Sequence, residues 1–222
     1  MSNSDAVQNM TDGYDELLAG DQVLRRIAAE HGRPDPFHWP GSDPAGRDPF
    51  VGLLLHITGQ QISTVAALAI FGRIQHAAGR PPDPTSLLAL GPERLRALGL
   101  SAAKVASILQ LASRVNDGQL DLDHLDQVDD ASVTAALVAV RGIGPWTAEM
   151  FLIHQLLRPD VLPAGDLGIR RGVQLGWMLD TVPTEEEVRA RGSGWAPWRT
   201  YAAALLWASL PTGPTTRSTR VR

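Results

Sequence analysis

Two-thirds of the way along the 222-residue chain, the stretch Val140-Arg141-Gly142-Ile143-Gly144-Pro145-Trp146-Thr147-Ala148-Glu149-Met150 breaks a helical pattern with a turn. Ala136, Leu137 and Val140 before it, and Met150, Phe151, Ile153 and Leu156 after it, recur at helical spacing. Gly142, Gly144 and Pro145 between them end helices. The chain must therefore reverse here from one helix into another. Alternating strand patterns are nearly absent, so the fold class is all-α, with about ten helices.

The other helices carry start and stop signals of their own. Asp21 is placed to cap residues 21–31. The Pro/Gly/Asp-rich stretch 32–47 reads as a loop. Asp48-Pro49 opens a helix that is apolar on nearly all sides and belongs at the centre of a core. Gly59-Gln60-Gln61 breaks it, and Ser63 caps a helix to Ala78. Residues 84–98 suggest two short helical pieces. Ser101 caps 102–116, which Gly118 ends, and Asp130 caps 131–140. The helix after the turn is expected to reach Leu157. Asp166 caps a helix through Trp177. Residues 184–191 carry acids first and arginines last, which suits a helix dipole, and Pro197 opens the last helix. Residues 1–10 and 211–222 are expected as disordered tails.

Composition narrows the chemistry. The chain has no cysteine, which excludes disulfides, cysteine-bound iron–sulfur clusters and cysteine zinc sites. Its six histidines lack metal-ligand spacing. The formal charge of −4 does not advertise a nucleic-acid partner. Basic residues nevertheless cluster at Arg170-Arg171, at Arg189 and Arg191, at Arg199, and at Arg217, Arg220 and Arg222; Lys104 is the sole lysine. Neither a signal peptide nor a membrane span is legible, so a cytoplasmic protein is expected.

The turn itself has two readings. It is a connection that lets two helices pack, or it is a binding element. Glycine lets a partner's backbone approach closely. Pro145 suits the first position of the new helix, whose leading N–H groups point outward. Together these make a phosphate site that needs no lysine.

With the residues that follow, the turn resembles a known family. LVAVRGIGPWTAEM is similar to the helix-hairpin-helix of the DNA glycosylase superfamily, and an aspartate follows Trp146 by 20 residues in RPDVLPAGDLGIRRG. Three ordered segments resemble the 3-methyladenine DNA glycosylase II family: LLLHITGQQIS at 53–63, GIGPWTAEMFLI at 142–153 with RPDVLPAGDLGIRRG at 158–172, and WAPWRTYAAALLW at 195–207. The resemblance implies a monofunctional enzyme of base excision repair. It would flip an alkylated purine (3-methyladenine or 7-methylguanine) out of double-stranded DNA and hydrolyse the N-glycosidic bond. Other lesions, such as hypoxanthine, ethenoadenine or a mismatched base, and a non-catalytic DNA-binding module, are the alternatives.

The same resemblance assigns roles. Asp166 is the catalytic carboxylate, or only a helix cap, or both. Trp146 stands where strand-nicking relatives carry a Schiff-base lysine, which an indole cannot replace. Trp146, Trp195 and Met150 are placed at the base pocket, with core packing as the alternative for the tryptophans. Met150 stands where some relatives have an aromatic. Trp198 and Trp207 read as core. Gln61 matches the side chain inserted into the duplex, although Gln60 and Gln61 could instead cap helices. Gly142, Ile143, Gly144 and Thr147 are the DNA-binding positions of the hairpin. Backbone carbonyls of Val138, Val140 and Ile143 match a monovalent cation site in relatives. No redox cofactor or catalytic metal is implied. The expected architecture is a monomer of two helical lobes with a cleft between them, one of residues 48–160 and one of 11–47 plus 161–210. The residues ahead of position 48 are too few for the β-rich N-terminal domain of the longest family members.

Overall fold

The computed structural model describes residues 3–38, 48–79 and 81–211, with side chains from residue 12 onward. Among them are eleven α-helices and two short 3-10 turns, and no strand. The all-α reading holds. Arg217, Arg220, Arg222 and most of the expected C-terminal tail lie outside the described residues, as does most of the 32–47 stretch.

The chain divides into two compact units, Phe37–Val161 and Met1–Pro36 with Leu162–Arg222. The first unit holds α3 (Pro49–Gly59), α4 (Thr64–Ala78), α5 (Pro84–Ala97), α6 (Ala102–Asn116), α7 (Asp130–Val138) and α8 (Pro145–His154). Helix α3 is its centre. Every residue from Phe50 to Thr58 is buried, as an all-round apolar helix requires. Helices α4, α6 and α8 pack against it, α5 packs on α6, and α7 on α8.

The second unit holds α1 (Asn3–Gly20), α2 (Gln22–His31), α9 (Leu167–Gly176), α10 (Glu185–Gly192) and α11 (Arg199–Ala208). Helix α11, almost wholly buried, packs against α1, α2 and α9.

Local chemistry starts most of these helices. Asp21, Asp48, Ser63, Ser101 and Asp166 each accept a backbone N–H in the first turn of the helix they precede. Helix α5 is kinked at Gly91-Pro92, which gives the two pieces expected.

Four expectations are corrected. Residues 3–10, expected as part of a disordered tail, are the first turns of α1, a helix that buries Tyr14, Leu17 and Leu18 further on. The cap of α7 is Asp129 rather than Asp130: the Asp129 backbone is extended and its carboxylate reaches the Ser132 N–H at 2.9 Å. Helix α8 stops at His154 rather than Leu157. The amides of Leu156 and Arg158 turn back to the carbonyls of Phe151 and Leu152, and Leu157 takes a φ of 53°. Helix α11 begins at Arg199, after Pro197. The Trp198 N–H first closes a turn onto the Trp195 carbonyl at 2.8 Å.

Candidate functional site

The hairpin between α7 and α8 is a tight backbone structure. Gly142 has a φ of 81°, a left-handed conformation that costs a side-chain-bearing residue strain. A Cβ there would also overlap the Ser107 hydroxyl. The Ile143 N–H closes the turn onto the Val140 carbonyl at 3.1 Å, and Ile143 itself is buried. Gly144 is the N-cap and has no side chain with which to cap, while Pro145 holds the first helical position. The Ala148 N–H reaches the Gly144 carbonyl at 3.1 Å. The first turn of α8 thus begins with an uncapped helix end, the arrangement that attracts an anion.

One face of α6 supports this hairpin, and sequence reasoning missed it. Ser107 lies under Gly142. The Gln110 side-chain carbonyl accepts the Arg141 N–H at 2.7 Å. The Arg114 guanidinium donates to the Ala139 carbonyl at 2.8 Å. One turn earlier, the Lys104 ammonium donates to the Thr58 carbonyl near the end of α3, at 2.8 Å, and partial burial pushes its pKa below the usual lysine value. The polar stripe 104/107/110/114 was visible in the sequence, but such a stripe reads as a solvated face.

The Gly59–Ser63 break between α3 and α4 is tied to the same hairpin. Gln60 Nε2 donates to the Gly142 carbonyl at 2.9 Å and to Thr147 Oγ1 at 3.1 Å. Gln61, exposed, has a φ of 58°. Ile62 and Val65 beside it are also exposed. Thr147, expected among the DNA-binding positions, is buried, and its hydroxyl faces Gln60 rather than the surface. The Val138 and Ile143 positions flank the turn, and the Val140 carbonyl between them already accepts one hydrogen bond.

Asp166 lies in the other unit, at the start of α9. Its Oδ1 accepts the Ile169 N–H at 2.9 Å and the Trp207 indole N–H at 3.0 Å. Both are charge-assisted bonds, and they fix the orientation of the carboxylate. Gly168 leaves room for this, since a Cβ there would come within 2.9 Å of Oδ1. The cap reading is therefore correct. Trp207, read from sequence as core, is half-buried and holds the carboxylate.

The three residues expected at a base pocket differ. Trp146 is half-buried in the first turn of α8, and Met150, one turn on, is buried. Trp195 is only 3% exposed. Its indole N–H donates to Asp21 Oδ2 at 3.0 Å, and its ring lies 5.8 Å from that of Trp177, over which Arg191 sits at 4.7 Å. Trp195 also borders a cavity of about 800 Å³ with Asp21, Glu187 and Arg191, and Asp166 is not among the residues lining it. Among the described residues, no group of three His, Cys, Asp or Glu side chains is placed to hold a metal. Nor is any described helix long and apolar enough to cross a membrane.

The chain is similar to known proteins along most of its length. Residues 55–197 match the model of the HhH-GPD superfamily base excision DNA repair proteins. A DNA-3-methyladenine glycosylase of Schizosaccharomyces pombe is 34% identical over 164 residues, 72% of this chain and 72% of that protein. DNA-3-methyladenine glycosylase 2 of Escherichia coli is 28% identical over 68% of this chain, which spans about half of it, 54%. A solved S. pombe 3-methyladenine DNA glycosylase in complex with abasic DNA superposes with a TM-score of 0.78 at 30% identity, covering 88% of this chain and 95% of that one. The fold, the hairpin with its following aspartate, and the family model agree: the chain belongs to the HhH-GPD superfamily of base excision DNA repair proteins.

Proposed function

We propose that the protein is a monofunctional DNA glycosylase that excises alkylated purines, 3-methyladenine and 7-methylguanine, from double-stranded DNA, acting as a monomer. The observation that carries this reading is the Asp166 carboxylate, held at the start of α9 by the Ile169 amide and the Trp207 indole in a chain of this family. When the C1′–N bond breaks, its electron pair leaves with the purine and positive charge develops on the deoxyribose. A fixed carboxylate stabilises that charge as it forms. Water then adds at C1′ and gives up a proton, leaving an abasic site. A purine methylated at N3 or N7 is already cationic and departs as a neutral base, so no strong general acid is required.

Chain chemistry supports hydrolysis over strand nicking. Trp146 occupies the hairpin position that a Schiff-base lysine would need. Lys104, the sole lysine, donates to the Thr58 carbonyl. The hairpin grips a phosphate through backbone N–H groups at Gly142 and Gly144 and at the start of α8, while the Ile143 N–H is spent on closing the turn. A monovalent cation on the carbonyls of Val138, Val140 and Ile143 would add positive charge there. Gln61 fills the space the flipped base leaves. Trp146 keeps part of its surface exposed and is the aromatic positioned to meet a base, with Met150 one turn on. Trp195, bonded to Asp21 and beside Trp177, acts through packing within its own unit.

The test is chromatography of bases released from methylated duplex DNA, with borohydride added in parallel. Free 3-methyladenine, an abasic but unbroken strand and no borohydride-trapped adduct are expected. A trapped adduct would overturn the hydrolytic mechanism. Release of hypoxanthine or ethenoadenine in place of methylated purines would overturn the substrate assignment, and release of no base at all would overturn the enzyme.

A further inference from the structure

We infer that Gln60 is a positioning residue that locks the inserting loop to the hairpin, so that wedge and phosphate grip move as one piece. The inference rests on the reading of Gln61 as the inserted side chain. The bond pattern is specific. Gln60 Nε2 carries two hydrogens, and the structure provides two acceptors, the Gly142 carbonyl at 2.9 Å and Thr147 Oγ1 at 3.1 Å. A carbonyl only accepts, so the amide nitrogen must face it, which settles the orientation of the side chain.

One acceptor lies within the hairpin turn and the other in the helix that follows it. Gly142 is the left-handed residue of the hairpin turn, and Thr147 is in the first turn of α8. A single side chain from residue 60 therefore bridges turn and helix, more than 80 residues away in sequence. Gln60 also anchors the chain immediately before Gln61. Its own backbone N–H bonds weakly to the Ile57 carbonyl at 3.4 Å as α3 ends. Gln61 then takes its φ of 58°, and the Ile62 N–H closes back to Gly59 at 3.4 Å. These backbone bonds are long, so the side-chain bridge is what fixes the direction in which Gln61 leaves. Lys104 steadies the preceding residues through Thr58, whereas Gln60 ties the loop to the hairpin itself.

An extrahelical base leaves a gap one base deep beside a distorted phosphate. An inserted side chain fills that gap only if its distance from the phosphate grip is set in advance. Gln60 sets that distance. Its loss should harm recognition of a gap more than recognition of intact duplex.

The experiment uses the full chain, an undamaged duplex and the same duplex carrying a tetrahydrofuran abasic analogue. Affinities are measured for wild type, Gln60→Ala, Gln61→Ala, the double variant and Thr147→Val. The preference of wild type for the abasic analogue is expected to fall about tenfold in Gln60→Ala, the scale of one to two neutral hydrogen bonds. Thr147→Val, which keeps volume and removes one acceptor, should lose about threefold. The double variant should match Gln61→Ala alone, because Gln60 acts through Gln61. An unchanged preference in Gln60→Ala, or additive losses in the double variant, would overturn the inference while leaving the glycosylase reading intact. A wild type with no preference for the abasic analogue would overturn both, and that arm alone identifies the failure.

Discussion

The Phe37–Val161 unit builds its candidate DNA surface from backbone, whereas the candidate group of the other unit is one side chain, the Asp166 carboxylate. At the hairpin, Ser107, Gln110, Arg114 and Gln60 all contact main-chain positions, and the groups proposed to hold DNA are amides at Gly142, Gly144 and the start of α8. At Asp166 the main chain and Trp207 instead contact the proposed catalytic group, a side chain. The difference follows from what each must do. A phosphate is fully charged before and after reaction, and dipoles suffice to hold it. A sugar cation exists only in passing, and a formal charge fixed in advance stabilises it best. A chain with net charge −4 can bind DNA in this way because the grip does not depend on counting lysines.

Separate roles imply separable defects. The largest is expected for Asp166→Asn. Asparagine still caps a helix, so the fold survives while the charge is lost, and single-turnover excision should fall by at least about 100-fold. Gly142→Ala strikes the other side. Its Cβ meets Ser107 and its φ is unfavourable, so affinity for duplex DNA should fall about tenfold, with a lower melting temperature. Adding Ser107→Gly should recover part of that affinity by removing the overlap but not the strain; full recovery, or none, would show that overlap and strain were wrongly apportioned.

Trp207→Phe keeps a ring and deletes the donor to Oδ1. Excision should slow about threefold to tenfold with DNA affinity unchanged; an equal loss in affinity would mean that the indole matters for packing alone.

The smallest effect concerns stability. Burial, with His154 stacked at 5.8 Å, pushes the His56 imidazole down to about 3. The unfolded chain takes up that proton near the ordinary value of about 6.5. Between these values the unfolded state binds more protons, so stability falls as pH drops from about 6.5 towards 3 and is unaffected above. The slope is about 1.4 kcal/mol per pH unit from this group. Melting temperatures at about pH 7.5 and about pH 5 should differ by several degrees, and by less in His56→Leu. An undiminished difference in that variant would assign the acid sensitivity elsewhere.

Much of this architecture was legible because it is local. A capping Asp or Ser, a Pro at the first helical position, and the Gly-x-Gly-Pro break act over about four residues, and the caps at Asp21, Asp48, Ser63, Ser101 and Asp166 stand where those signals placed them. Asp129 and Asp130 show the limit of such signals, since two adjacent residues of one type carry the same one. Helix α1 escaped notice because its sequence is rich in polar residues, with Gly13 inside it and few apolar side chains to mark a buried face. Its buried end is held by tertiary contacts such as Tyr14 against Tyr201. The supports of the candidate site were hidden for the same reason. Trp207 reaches Asp166 across 41 residues, and Gln60 reaches Gly142 across 82. No spacing rule links such pairs: Trp207 read as core and Thr147 as a DNA-binding position until the fold gave each its partner.

The most direct test of the account measures excision and affinity together, on one duplex containing 7-methylguanine and its abasic-analogue counterpart, for wild type and Asp166→Asn. Excision is expected to fall at least about 100-fold while affinity for the abasic analogue stays within about threefold of wild type, a difference below about 1 kcal/mol. Equal excision by the two proteins, or a loss of affinity as large as the loss of rate, would show that Asp166 is a helix cap and that the chemistry lies elsewhere.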